Sequence, residues 1–173
     1  MQIVLRSWQV LVPLVLVWGC VSSQRSAVTD AGNMPADFQG LVRYIDAAQV
    51  RAWQAKATPF VVLDVRTKEE FHNDGHVPGA VLTSYYLGSR RRGENVNFLR
   101  FVGANYRPEQ RLLLLCSHGM RATQAAWELQ TKAGFTEVYV FPGGYEGHYM
   151  QGYGGGDGWK SAGLPIVFTP VED

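Results

Sequence analysis

The sequence predicts an α/β domain with a mostly parallel central sheet and helices on both faces. Short apolar runs alternate with segments of helical periodicity, and strands that alternate with helices in this way form parallel sheets. The run Leu112–Leu115 consists of leucine alone, which is typical of a strand buried on both faces. With 173 residues, 46% of them hydrophobic, the chain is long enough for one domain with a sizeable core.

Two short helices are predicted from their N-terminal caps. Asp46 and Gln49 resemble a capping box, and the helix that they open is expected to run to about residue 56. Thr67 and Glu70 form a second such pattern, which opens a helix that ends near Gly75. Both helices therefore begin where a side chain satisfies free backbone N–H groups.

Further strands are predicted over residues 60–65, 79–82 and 138–141, which are apolar and partly β-branched. After the last of them, the sequence PGG at 142–144 is expected to turn the chain sharply. Trp159 is expected to begin a terminal helix that ends at Gly163.

Cys116 lies between the buried strand Leu112–Leu115 and a predicted helix. The helix is indicated by small and apolar residues at helical spacing followed by a glycine cap: Ala122, Ala126, Leu129, Ala133 and Gly134. Free N–H groups and the positive end of the helix dipole favour an anion on such a turn, so a sulfur there should ionise readily. Gly119 allows backbone angles that turn several N–H groups inward. The alternative is that Cys116 is an inert buried cysteine.

Three parts of the chain resemble the signatures of rhodaneses, the sulfurtransferases that carry sulfur as a cysteine persulfide. The loop CSHGMRA (116–122) is similar to their active-site loop. Upstream, VLDVR (62–66), Glu70–Phe71 and GHVPGA (75–80) are similar to the first signature, and downstream VFPGGY (140–145) and WKSAGLP (159–165) to the closing one. The resemblance covers about residues 44–168 and implies the rhodanese-like fold.

The resemblance also implies a mechanism and a set of site residues. Cys116 would be the persulfide nucleophile, taking sulfur from a small donor such as thiosulfate and passing it to a thiol or cyanide. The implied substrate-binding loop comprises Ser117, His118, Gly119, Met120 and Arg121. Arg121 would either bind the donor's sulfonate or brace the loop by pairing with a carboxylate. No cofactor and no metal are implied.

Loop length bears on the substrate. Cys116 to Arg121 is six residues, the length associated in this family with sulfur substrates, whereas the related phosphatases use a loop one residue longer. A phosphatase is therefore the less favoured enzyme. A non-catalytic binding or sensing module is the other alternative, because rhodanese-like domains also serve in that way.

Three residues are expected to hold the fold together rather than to take part in chemistry: Asp64, Arg66 and His76.

Two longer connections have roles that the sequence leaves undecided. One interpretation of residues 85–108 is a small extra helix that covers part of the site. Arg90–Arg92 in this stretch either attracts an anionic donor or a lipid headgroup or forms a solvated turn. Residues 147–158 either rim the site or form a mobile surface loop.

The first 19 residues are predicted to be a signal peptide. An apolar run too short to span a bilayer ends in VWGC (17–20), which resembles a bacterial lipobox in which Cys20 is acylated. The alternatives are an ordinary secretory signal and an uncleaved anchor. Residues 20–43 would then be a lipid-anchored flexible linker, and residues 44–170 the rhodanese domain, facing the periplasm in a bacterial cell envelope.

The net charge and the cysteine content argue against several further classes of function. Charged residues make up 18% of the chain and give a net charge of +1, which argues against a nucleic-acid partner. The chain has two cysteines, with no CxxC pair and no Cys/His zinc cluster. With Cys20 acylated, Cys116 would be the remaining thiol, and no intramolecular disulfide would form.

Overall fold

A computed structural model describes residues 41–86, 95–147 and 156–168. The predicted signal peptide, Cys20, most of the predicted linker, Arg90–Arg92 and the middle of the 147–158 connection lie outside the described residues. Within the three described ranges, the chain forms five strands and four helices.

Five parallel strands form one sheet, which confirms the predicted α/β class. The strands are β1 (Arg43–Tyr44), β2 (Val61–Asp64), β3 (Val81–Leu82), β4 (Leu112–Leu115) and β5 (Val138–Val140). Their order across the sheet is β1-β5-β4-β2-β3, and each neighbouring pair is parallel. Strand β4 lies at the centre, and its four leucines are completely buried. The carboxyl end of this central strand leads directly to Cys116.

Four helices accompany the sheet: α1 (Ala47–Ala55), α2 (Lys68–Asn73), α3 (Phe98–Asn105) and α4 (Met120–Lys132). The side chain of Asp46 caps α1 by accepting a hydrogen bond of 2.9 Å from the Gln49 N–H. The predicted capping box of α2 is complete. Thr67 Oγ1 accepts from the Glu70 N–H, and the Glu70 carboxylate accepts from the Thr67 N–H.

The alternation of side chains along β4 divides the core between the two faces of the sheet. Leu112 and Leu114 pack with residues of α3 and α4, whereas Leu113 and Leu115 pack with Val50 and Trp53 of α1. Helices therefore cover both faces of the sheet, as the sequence predicted. No helix of the described ranges is long and apolar enough to cross a membrane.

Two predicted elements differ from the structure. The segment 159–163 forms turns instead of the predicted terminal helix, because its backbone does not continue an i→i−4 ladder. The Ala162 N–H donates to the Gly158 carbonyl, but the next N–H, that of Gly163, donates to the Lys160 carbonyl. The strand predicted over residues 79–82 is limited to Val81–Leu82, because the Ala80 N–H donates to the Val77 carbonyl and closes a turn there.

Candidate active site

Cys116 lies at the junction of β4 and α4, as predicted. Its side chain is buried, and the N–H of Gly119 donates to Sγ at 3.1 Å. Gly119 is the N-cap of α4, so this N–H stands at the positive end of the helix dipole. A donor in this position stabilises negative charge on the sulfur.

Gly119 occupies a position that no other residue type fits well. Its φ is +92°, and a Cβ added there would lie 2.1 Å from the Pro142 carbonyl oxygen. The turn that begins at Pro142 supports the Cys116 loop through its backbone. The Tyr145 N–H donates to the Cys116 carbonyl at 2.7 Å, and the Glu146 N–H donates to the Ser117 carbonyl at 2.9 Å. The loop is thus held by main-chain contacts from a second loop.

Arg121 is paired with Glu70 of α2. Its Nη1 and Nη2 donate to the two carboxylate oxygens of Glu70, each at 2.7 Å. Nη2 also donates to Ser117 Oγ at 2.8 Å, while the Ser117 hydroxyl donates to Glu70 at 2.6 Å. Of the two roles expected for Arg121, bracing the loop through a carboxylate is the one that this geometry displays.

Glu70 and Arg121 each stabilise the charged form of the other. Burial works to raise the pKa of Glu70, but the hydrogen bonds from Arg121 and Ser117, the Thr67 N–H and the charge of Arg121 lower it to about 2. Burial of Arg121 opposes its charged form, yet its hydrogen bonds to Glu70 and the negative charges of Glu70 and Asp64 raise its pKa. The carboxylate and the guanidinium are therefore both charged at neutral pH.

Sequence reasoning missed Glu70 as a residue of the site. Glu70 was assigned to the capping box and to the first rhodanese signature but not to the site, and it lies 51 positions from Arg121 in the chain. The available signal was the expected need of Arg121 for a carboxylate. Glu70 lies in the first turn of α2, six residues after the end of β2, which is the strand next to β4, and the carboxyl ends of parallel strands meet at one edge of the sheet.

His118 and Met120 are the partly exposed residues of the loop, whereas Cys116, Ser117, Gly119 and Arg121 are buried. The six residues are brought together on one turn, and their role in binding substrate stays a prediction. Within the described ranges, no group of three or more His, Cys, Asp or Glu residues could hold a metal ion.

Asp64 and Arg66 have the structural role expected of them. They form an ion pair of 2.8 Å that is completely buried. Arg66 also donates to the Gly75 carbonyl at 2.7 Å and lies over the ring of Tyr145, 4.0 Å from its centroid. Arg66 thereby ties the segment after α2 to the turn that supports the Cys116 loop. His76 stacks on Phe71 with ring centroids 3.8 Å apart, which agrees with an ordering role in its turn.

Comparison with known proteins agrees with this architecture. The model of the rhodanese-like domain matches residues 46–151. The senescence-associated protein DIN1 of Raphanus sativus is 39% identical over 122 residues, which are 70% of this chain and 65% of that protein. Thiosulfate sulfurtransferase 16, chloroplastic, of Arabidopsis thaliana is 34% identical over 104 residues, 60% of this chain and 76% of that protein. The chain thus spans just under two thirds of the length of the radish relative.

Solved structures show the same fold. The rhodanese-like domain of the Alr3790 protein from Anabaena sp. has a TM-score of 0.55 and 20% identity, with 73% of this chain and 79% of that chain covered. Rv0390 from M. tuberculosis has a TM-score of 0.54 and 27% identity, with coverages of 73% and 98%. The sheet, the cysteine-bearing loop and these matches lead to one conclusion: the chain belongs to the rhodanese-like domain family.

Proposed function

We propose that this protein is a sulfurtransferase in which Cys116 carries sulfane sulfur as a persulfide. The observation that carries the proposal is the hydrogen bond from the Gly119 N–H to Cys116 Sγ, at the N terminus of α4. This arrangement favours the thiolate, which is the nucleophilic form of cysteine. The six-residue loop and the two Arabidopsis relatives named thiosulfate sulfurtransferase also support it.

The reaction has two displacement steps. In the first, the Cys116 thiolate attacks the outer sulfur of thiosulfate, the S–S bond of the donor breaks, and sulfite leaves with the electron pair. In the second, cyanide or an acceptor thiolate attacks the outer sulfur of the Cys116 persulfide. The S–S bond of the persulfide then breaks, and Cys116 leaves as the thiolate. Loop amides near Sγ stabilise the negative charge that persists through both steps.

Intact-mass spectrometry tests this proposal directly. Incubation of the protein with thiosulfate should add the mass of one sulfur, and cyanide should remove it with release of thiocyanate. Cys116→Ser should show no adduct while keeping the circular dichroism spectrum of the wild type, because the substitution is nearly isosteric. Absence of an adduct from thiosulfate and from other sulfane donors would favour the binding-module alternative. Efficient hydrolysis of aryl phosphates would favour the phosphatase.

We also propose that the mature protein is anchored to a bacterial cell envelope through acylated Cys20 and faces the periplasm. Support for this proposal comes from the sequence alone, since VWGC (17–20) follows a short apolar run. A membrane-tethered carrier with a single thiol would be protected from disulfide formation within its own chain.

A further inference from the structure

The carboxylate of Glu70 is the point at which α2 meets the Cys116 loop. One oxygen accepts from Thr67 N–H at 2.8 Å and from Arg121 at 2.7 Å, and the other accepts from Arg121 at 2.7 Å and from Ser117 at 2.6 Å. The four hydrogen bonds fill the acceptor capacity of the group. The Ser117 hydroxyl gives its one proton to Glu70, so it donates none to the sulfur.

The charge balance near Cys116 depends on this carboxylate. The Arg121 side chain is only 5% exposed, and its Nη2 donates at 2.8 Å to Oγ of Ser117, the residue next to Cys116. A buried, uncompensated cation there would stabilise the thiolate strongly and make it less basic. A less basic thiolate is a weaker nucleophile, since reactivity follows basicity with a Brønsted coefficient of about 0.4–0.5.

We propose that Glu70 is a positioning residue that sets the reactivity of Cys116 by balancing the charge of Arg121. The sulfur is then stabilised by the Gly119 N–H and the helix terminus, without the full charge of a neighbouring cation. The inference rests on the proposed function in one respect, because it matters biologically only where Cys116 acts as a nucleophile.

Other charged and titratable groups near Arg121 keep their partners under this proposal. Asp64, at the end of β2, also attracts Arg121, but its carboxylate is held by Arg66 at 2.8 Å. His118 lies on the loop itself. None of the substitutions below removes these groups, so their contribution is common to all the variants compared.

The test is the rate of alkylation of Cys116 by iodoacetamide as a function of pH. Glu70→Gln preserves the shape of the side chain and removes its charge, and its alkylation midpoint should fall by roughly one pH unit, the order expected for loss of one nearby charge. Its plateau rate should fall about threefold. Arg121→Met should raise the midpoint. Glu70→Gln/Arg121→Met removes both charges and should lie between the two single variants.

Glu69→Gln is the matched control. Glu69 is exposed and precedes Glu70 in the first turn of α2. Its substitution removes the same charge from the same helical turn, so the midpoint should stay at the wild-type value. A shift as large as that of Glu70→Gln would mean that long-range charge, and not the pairing with Arg121, sets the reactivity.

The direction of the shifts separates charge balance from simple support of the loop. Loosening of the loop would weaken donation from the Gly119 N–H, and both single variants would then move the midpoint upward. Shifts in the same direction, or no shift, would overturn the proposal. If Glu70→Gln does not fold, the comparison of Arg121→Met with the double variant decides, because the added substitution must still lower the midpoint. Alkylation needs no sulfur donor, so opposite shifts without a persulfide adduct would refute the proposed function alone.

Discussion

Gly119 faces the carbonyl oxygen of Pro142 so closely that a Cβ at position 119 would lie 2.1 Å from it. This contact joins the Cys116 loop to the turn after β5. The Pro142 oxygen belongs to the backbone and a Cβ is bonded directly to it, so neither can move aside as the end of a flexible side chain would. We expect the two loops to behave as one rigid unit around the sulfur.

Gly119→Ala should destabilise the protein and slow any chemistry at Cys116. The backbone at position 119, with φ +92° and ψ −34°, lies in a region that alanine rarely adopts, which costs about 1–3 kcal/mol, and the contact with Pro142 adds to this cost. Thermal unfolding and the rate of Cys116 alkylation measure the two effects. Gly103→Ala is the control, because Gly103 lies exposed in α3 with open space around it. It should stabilise the protein by about 0.5–1 kcal/mol. Equal melting temperatures for the two variants would contradict the proposed rigidity.

The carboxylate of Glu70 should make stability depend on acid pH. Its pKa is lowered from 4.5 to about 2 in the folded protein, so its contribution is present above pH 4.5 and is lost as the pH falls towards 2. With allowance for the partial exposure of Glu70, we expect this contribution to the free energy of unfolding to be about 1–2 kcal/mol. Urea denaturation of the wild type and Glu70→Gln should show stabilities that converge as the pH falls from 5 to 2. Parallel pH profiles would show that the pair does not couple to folding.

Arg66→Met should be strongly destabilising, by about 3–5 kcal/mol, because it leaves the Asp64 carboxylate buried without its ion pair. The double variant Asp64→Leu/Arg66→Met should recover part of the loss, since it buries no unpaired charge. Lys132→Met is a control on an exposed ion pair with Glu128 and should change stability by about 0.5 kcal/mol or less. The midpoints of urea denaturation rank the variants by stability. A double variant less stable than Arg66→Met would contradict the explanation that an unpaired buried charge causes the loss.

Acylation of Cys20 predicts that the protein takes up labelled palmitate in a bacterial host and sediments with membranes. Two or more acyl chains anchor a protein stably, since each buried methylene contributes about 0.8 kcal/mol. Cys20→Ala should lose both the label and the membrane association, whereas Cys116→Ser should keep them. A wild-type protein without label would exclude the lipoprotein signal.

The elements predicted best from the sequence are those specified by neighbouring residues. The leucines of β4 and the Thr67–Glu70 capping box are local signals, and both elements lie where they were expected. Strand β1 was missed, because its two residues show no periodicity and it exists only through pairing with β5. The local sequence of so short a strand contains no pattern that would indicate its pairing with a distant strand.

The features of the active site also divide into those specified by neighbouring residues and those that depend on distant ones. The position of Cys116 between a strand and a helix follows from local pattern, as does the need for glycine at 119. The bond between Glu70 and Arg121 depends on how two adjacent strands deliver their following loops to one edge, which no local window contains. Glu70 both caps α2 and pairs with the buried Arg121. The capping-box motif describes only the first of these interactions, so it could not predict the second.

Pairing of the first strand with the last has a consequence for biosynthesis. Arg43 of β1 is in register with Tyr139 of β5, 96 positions later, and the backbone carbonyls of the loop that bears the cysteine accept hydrogen bonds from Tyr145 and Glu146, which follow β5. A chain emerging from the ribosome therefore completes neither its sheet nor its reactive loop until about residue 146 is free. Such non-local closure is slow compared with the folding of helical proteins, so the nascent thiol passes through an interval without the shelter that the finished loop provides.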